Sequence, residues 1–186
     1  MADVQLQKKK KKWFGIVTGL ESNRSEIGET LANEDANLVG RTLEVNLANI
    51  TQDPKSQNIK VKFRIKEVKG NESYAEVISY AMLSTYVKRV IKPAKEKIDD
   101  SFKYLTKDNV KVVVKTIILT KSKTIKSILT NIRHKSHEYL QNYFKKTDYT
   151  TLINDLASHN LQKDLKNILK KIYPLSVCEI RMMERL

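Results

Sequence analysis

Lys60, Lys62, Arg64 and Lys66 alternate without a break with Ile59, Val61, Phe63 and Ile65. Period-two alternation belongs to a strand with one face in a core, so the four cations fall on the other face as a ladder. Their chemistry is charge neutralisation, a row of ammonium and guanidinium groups meeting the phosphates of a polyanion. Two further groups share that character. Lys8, Lys9, Lys10, Lys11 and Lys12 form an unbroken block, and Lys88, Arg89, Lys92, Lys95 and Lys97 crowd around Pro93. Lys126, Arg133 and His137 project one way from a helical stretch, where they meet phosphates or form a solvated flank.

Residues for bond-making chemistry are poorly placed. His134 and His137 have a chelating spacing, but no third ligand is in view and Arg133 and Lys135 repel a cation, so no metal is expected. The glycines at 15, 19, 28, 40 and 70 fit neither a phosphate loop nor a dinucleotide fingerprint. No nucleophile elbow gathers Ser, His and Asp. Glu26 and Glu29 read as a solvated turn or helix start, and Asp99 and Asp100 as an exposed strand edge. Cys178 is the only cysteine, which excludes an intrachain disulfide and a four-cysteine zinc site and fits a reducing compartment. The expectation is a protein that is not an enzyme, with no cofactor and no small-molecule substrate.

The charge of the whole chain points the same way. Its 186 residues carry 35 Lys and Arg against 21 Asp and Glu, a formal net charge of +14, with a pI near 9.7. The excess is uneven: residues 13–59 hold three basic and seven acidic side chains, and residues 60–107 hold twelve and six. A polyanionic partner is the natural reading. No apolar run approaches the roughly 18 residues of a membrane span. Trp13 to Leu20, broken by Gly15 and Gly19, is too short for a signal-peptide core. A soluble, cytoplasmic protein with no membrane partner is expected.

The elements that must position these groups follow from periodicity. Residues 1–12 are expected to be a basic tail, disordered when free because like charges self-repel, with Trp13 and Phe14 anchoring it to the core. Leu43, Val45 and Leu47 mark a strand, and Gln52 to Pro54 a turn. The ladder strand runs through Lys69-Gly70-Asn71 into a second strand from Ser73 to Tyr80, with Tyr74, Ile78 and Tyr80 on one face. A short helix near 84–91 stops before Pro93. Ile98–Leu105 and Val110–Leu119 form another hairpin, turned by Thr106 to Asn109, with Asn109 left-handed. Ile125, Ile128, Leu129, Ile132, Tyr139, Leu140 and Tyr143 then trace a long amphipathic helix. Thr147 or Asp148 caps a helix to Ala157, another spans Leu161 to Ile172, and Val177 to Met182 is a last strand returning to the sheet. With no repeat and no linker, residues 13–186 read as one α+β domain, mostly β to 119, mostly helical over 120–174, and ending in a strand over 175–186.

Several short stretches, in order and at consistent spacing, resemble one family. They are Lys11-Lys12-Trp13-Phe14, Ile27-Gly28-Glu29-Thr30, Leu38-Val39-Gly40-Arg41 with Ile50-Thr51-Gln52-Asp53, and Lys62-Phe63-Arg64-Ile65 with Val68-Lys69-Gly70. Thr106-Lys107-Asp108 and Lys171-Ile172-Tyr173-Pro174-Leu175 with Glu179-Ile180-Arg181 continue the pattern. The sequence resembles the archaeal and eukaryotic small-subunit ribosomal protein family S-one-e, also called S-three-a-e. It lacks the long C-terminal extension expected of eukaryotic members and so looks archaeal in length. Where relatives carry an arginine-rich run after the short helix, Lys88 to Lys97 is mostly lysine, which keeps charge but loses the bidentate fork. Asn109 stands where the family has glycine.

The resemblance implies an antiparallel, barrel-like sheet with flanking helices and a seat on the platform of the small subunit near the mRNA exit. The implied partners are small-subunit ribosomal RNA and neighbouring platform proteins, with contact to mRNA near the exit left open. The RNA-binding residues expected are Lys8 to Lys12, Lys60, Lys62, Arg64, Lys66, Lys88, Arg89, Lys92, Lys95, Lys97, Lys126 and Arg133. Tyr74, Tyr80 and Tyr86 are candidates for base stacking, against the commoner role of tyrosines at strand spacing as core or cross-strand partners. The alternative class is a protein interaction module or ribonucleoprotein assembly factor, in which the acidic stretch from Glu21 to Asp35 docks a basic neighbour.

Overall fold

The structure, a computed structural model, describes residues 11–19 and 25–186. Lys8, Lys9 and Lys10 of the basic block lie outside the described residues, as do residues 20–24. The elements in chain order are β1 (Lys12–Thr18), β2 (Ser25–Ala32), β3 (Thr42–Asn46), α1 (Leu47–Thr51), β4 (Ile59–Lys69), β5 (Glu72–Met82) and α2 (Ser84–Val90). There follow β6 (Lys97–Leu105), β7 (Lys111–Thr120), α3 (Lys126–Lys146), α4 (Tyr149–Ala157), α5 (Asn160–Lys170) and β8 (Leu175–Arg185). The strands pair in the order β2-β1-β5-β8-β7-β6, with β4 beside β5 and β3 beside β4.

The α+β class and the return of the C-terminal strand are as expected, but the sheet is mixed and is not closed into a barrel. β1 runs parallel to β5 over Gly15 to Val17. No tight turn joins these two strands, so nothing forces the antiparallel sense a hairpin would impose. Closure needs the two end strands to pair, and β2 and β6 remain the ends of the path.

Packing divides the chain into two compact units, Met1–Leu43 with Phe63–Glu76, and Glu44–Lys62 with Val77–Leu186. In the described part of the first, β1 and β2 are antiparallel. Phe14, Ile16, Ala32, Leu38 and Ile65 form the core, with Ile27, Leu43, Val68 and Ala75 packed against it. The alternation of β1 turns Phe14 and Ile16 inward and therefore Trp13 outward, where it is 64% exposed. The expected two-residue anchor is thus Phe14 without Trp13, and Lys12 belongs to β1 instead of the tail. Glu26 and Glu29 lie in β2, not in a turn or helix start. Arg41 ties this unit together, donating to Thr30 Oγ1 at 3.1 Å and to the Leu31 carbonyl at 3.0 Å. Gly70, at φ +63°, supplies the left-handed residue that returns β4 into β5.

In the second unit β6, β7 and β8 form an antiparallel set. β7 is buried on both faces from Thr116 to Thr120, and its apolar Ile117-Ile118-Leu119 run suits that central position. α3 packs on β6 and α5 on β8. The buried row of α3 is Ile132, Ser136, Leu140 and Phe144, each four residues from the next. Ile125, expected on that stripe, precedes the first turn and is 65% exposed. Asp148 is the N-cap residue of α4, but its carboxylate makes no capping bond and pairs with Lys107 at 3.3 Å. Asn109 is left-handed at φ +58°, as expected of the turn before β7. Two register shifts between β7 and β8 leave Arg181 and Ser176 as the unpaired residues of β8. Bulges re-aim side chains, and Arg181 reaches Asp99 at 2.9 Å.

Candidate RNA interface

β4 carries out the alternation read from its residues. Ile59, Val61, Phe63 and Ile65 are buried, Lys60, Arg64 and Lys66 are exposed, and Lys62 is half-buried. Lys60 lies 3.7 Å from Glu44 and Lys66 lies 3.8 Å from Glu76, each pair solvated. Such exposed ion pairs contribute between about 0 and 1 kcal/mol, so an incoming phosphate displaces the carboxylate at little cost. Among the described residues Lys62 and Arg64 have no ion-pair partner.

The second basic group is less free. Lys88 and Arg89 are exposed in the last turn of α2, where they also oppose the negative end of the helix. The Arg89 guanidinium lies over the Tyr86 ring, 5.3 Å from its centroid. Lys92 is exposed. Lys95 donates to Ser176 Oγ at 2.5 Å, and Lys97 pairs with Asp99 at 3.2 Å. Lys11 and Lys12 are exposed at the start of β1.

On α3 the three residues expected to project together separate in role. Lys126 is exposed at the first turn. Arg133 is held 2.8 Å from Asp100, whose side chain is largely buried. His137 stacks on Phe102 with centroids 4.5 Å apart, and its Nδ1 lies 2.9 Å from the Tyr104 hydroxyl. Arg133 and His137 therefore fasten α3 to β6. Asp99 and Asp100 are not an exposed edge: Asp100 is the anionic half of that fastening, and Asp99 pairs with Arg181 of β8 and Lys97. Of the three tyrosines, Tyr80 is 1% exposed and is core. Burial extends to Ser73, Val77 and Ser79 on the other parity of β5, so Tyr74, Ile78 and Tyr80 do not form the single inner face. Tyr74 is half-buried and donates to Glu72 at 3.3 Å.

No sequence pattern announced the other polar site, a cleft of about 470 Å³ in the second unit. Asp53, Lys55, Tyr86, His159, Gln162, Lys163, Lys166, Cys178 and Glu179 are among its lining residues. They come from four separate stretches of chain, so only folding gathers them. His159 takes a left-handed conformation, φ +59°, to start α5. Its Nδ1 lies 4.0 Å from Glu179 Oε2. His159 Nε2, Gln162 Oε1 and Glu179 Oε2 are buried without a hydrogen-bond partner.

Burial pushes the Glu179 carboxyl up to about 7, partly opposed by Lys166. Burial, assisted by Lys163, lowers His159. Burial also pushes the Cys178 thiol up to about 12, which removes it as a nucleophile. Because the folded state holds the Glu179 proton that the unfolded chain releases near 4.5, stability from this group is complete in acid and is lost as pH rises through about 7. Glu179→Gln should therefore be nearly neutral at pH ~4 and more stable than the parent by about 3 kcal/mol at pH ~8. Urea melts at the two pH values check this, and a constant difference would mean the carboxyl is solvated.

Among the described residues there is no group of His, Cys, Asp and Glu able to hold a metal ion. No helix among them is long and apolar enough to cross a membrane. Comparison with known proteins gives one consistent family. The chain is 27% identical over 172 residues to the small ribosomal subunit protein eS1 of Methanoculleus marisnigri, covering 92% of this chain and 87% of that one. It is 31% identical over 166 residues to the protein of the same name from Nanoarchaeum equitans, covering 89% and 84%. The protein of that name from Methanoregula boonei is 30% identical over 172 residues, covering 92% and 86%. With these relatives, and a family model matching residues 3–186, the chain belongs to the Ribosomal S3Ae family.

Proposed function

We propose that the chain, a structural protein of the small ribosomal subunit and not an enzyme, binds ribosomal RNA by backbone electrostatics on the platform near the mRNA exit. Membership of a ribosomal family supplies the subunit and a cytoplasmic location within the ribosome. The observation that carries the RNA reading is the outer face of β4, where Lys60, Lys62, Arg64 and Lys66 stand opposite a buried apolar row. Each phosphate they neutralise releases condensed counterions, and that release supplies affinity without reading sequence. An RNA helix hides its base edges in a deep, narrow groove, so a rigid cationic strand reads backbone shape and 2′-hydroxyls. Lys88, Arg89, Lys92 and Lys126 of the second unit, and the basic block Lys8 to Lys12, supply further cations. Lys95, Lys97 and Arg133, already bonded within the protein, contribute field more than direct contact.

Replacing Lys60, Lys62 and Lys66 by Gln tests the ladder. RNA affinity should fall, and the slope of log affinity against log salt should shrink by roughly 0.7 to 0.9 for each phosphate no longer neutralised. Unfolding free energy should change by no more than about 0.5 kcal/mol per exposed site. A variant that unfolds, or one that binds RNA with the parental slope, would remove the ladder from the interface.

A second partner reading is favoured by β2, which ends the strand order and exposes Glu26 and Glu29. With the exposed Glu34 and Asp35 beyond it, this acidic edge suits a basic neighbouring platform protein. Unpaired edge strands accept partner strands, and both contacts operate on one protein.

A further inference from the structure

We propose that the cleft between the start of α5 and β8 receives an unpaired guanine of RNA, with Glu179 as the acceptor for its base edge. The proposal rests on the RNA reading above and adds a base-specific contact to it. The cleft, about 470 Å³, falls within the range of small-molecule sites, roughly 300 to 1,000 Å³.

Its unpartnered groups choose the guest. Glu179 Oε2 and Gln162 Oε1 are acceptors left without donors in the wall, and Gln162 is only 3% exposed. The Gln162 amide is held in place by its own nitrogen, which donates to the Leu156 carbonyl at 3.3 Å. Buried polar groups without partners are costly, and of the two it is the Glu179 side chain, 26% exposed, that a guest can reach. A carboxylate asks for two adjacent N–H donors, and among the RNA bases guanine presents them in N1–H and its 2-amino group. Lysines set the charge of the cleft. Lys55, Lys163 and Lys166 outnumber Asp53 and Glu179 in the lining, so the cleft repels a lysine or arginine from a protein neighbour and favours a phosphate-bearing guest. Tyr86, Ile59 and Met82 add the flat and apolar wall that a base face needs.

The test uses short RNA oligomers of oligouridine with one central substitution, measured at pH ~8, where the Glu179 carboxyl, at about 7, is ionised. The guanine-containing oligomer should bind on the order of tenfold to a hundredfold more tightly than the adenine-, cytosine- or all-uridine versions, with inosine between. Glu179→Gln should erase that preference while leaving the uridine affinity and its salt slope in place. Equal affinity for all bases, or a guanine preference that survives Glu179→Gln, would overturn the proposal. Guanosine monophosphate binding as tightly as the oligomer would also overturn it, by making the cleft a free-nucleotide site. Failure to bind the guanine oligomer at low salt while structured ribosomal RNA still binds would overturn it too, whereas loss of binding to structured RNA as well would contradict the underlying RNA reading, so the two failures are distinct.

Discussion

Raising salt from about 50 to 200 mM is expected to weaken binding of this protein to structured ribosomal RNA by on the order of 10³ to 10⁵. A drop of that size follows from neutralising about 6 to 10 phosphates, each displacing counterions whose return is favoured at high salt. The net charge of +14 makes that number of phosphate contacts possible. The four outward cations of β4, the exposed Lys88, Arg89 and Lys92, and the exposed Lys11, Lys12 and Lys126 are enough to supply it. Filter binding across a salt series checks the slope. A flat response would mean that the cations are bystanders and that affinity comes from apolar or protein contacts.

Phe14→Ala is expected to destabilise the first unit by about 3 to 5 kcal/mol, whereas Trp13→Ala should change stability by no more than about 0.5 kcal/mol. Phe14 is buried among Ile16, Ala32, Leu38 and Ile65, so truncation leaves a cavity that neighbouring side chains on three strands and a loop fill only in part. Trp13 stands on the other face of the same strand. Thermal or urea unfolding of the two variants separates the cases. A reversed order would place the indole, not the phenyl ring, in the core.

The contrast between these adjacent residues shows how far local pattern carries. β4 is legible in the sequence because four apolar and four basic residues alternate with no exception, and a one-residue slip would bury every cation. The β6 and β7 pair and the three last helices are legible for similar reasons, since period and turn chemistry agree. β1 and β2 are not. Their pairing shifts register between Ile16 and Val17, and Ile16, Val17 and Thr18 are all buried in succession, which erases alternation. β2 has only one fully buried residue, Ala32, so its sequence lacks an inner face to read.

The basic ladder shares the legibility of its strand, and the resemblance to ribosomal relatives leads to the family. The roles of Arg133 and His137 are hidden because equal spacing on a helix says which residues share a face and not what that face meets. Here it meets Asp100 on β6 and Phe102 beside it. The cleft is illegible for a stronger reason. Glu179 looks like one more polar residue of a strand, and His159 like a residue in a loop, until α5 and β8 pack together.

An RNA–protein cross-linking map of assembled small subunits tests the RNA-binding role most directly. Lys60, Lys62, Arg64 and Lys66 should cross-link to ribosomal RNA, at riboses and phosphates of structured segments, with platform proteins meeting the β2 edge. Cross-links from that face of β4 to protein neighbours alone would contradict it.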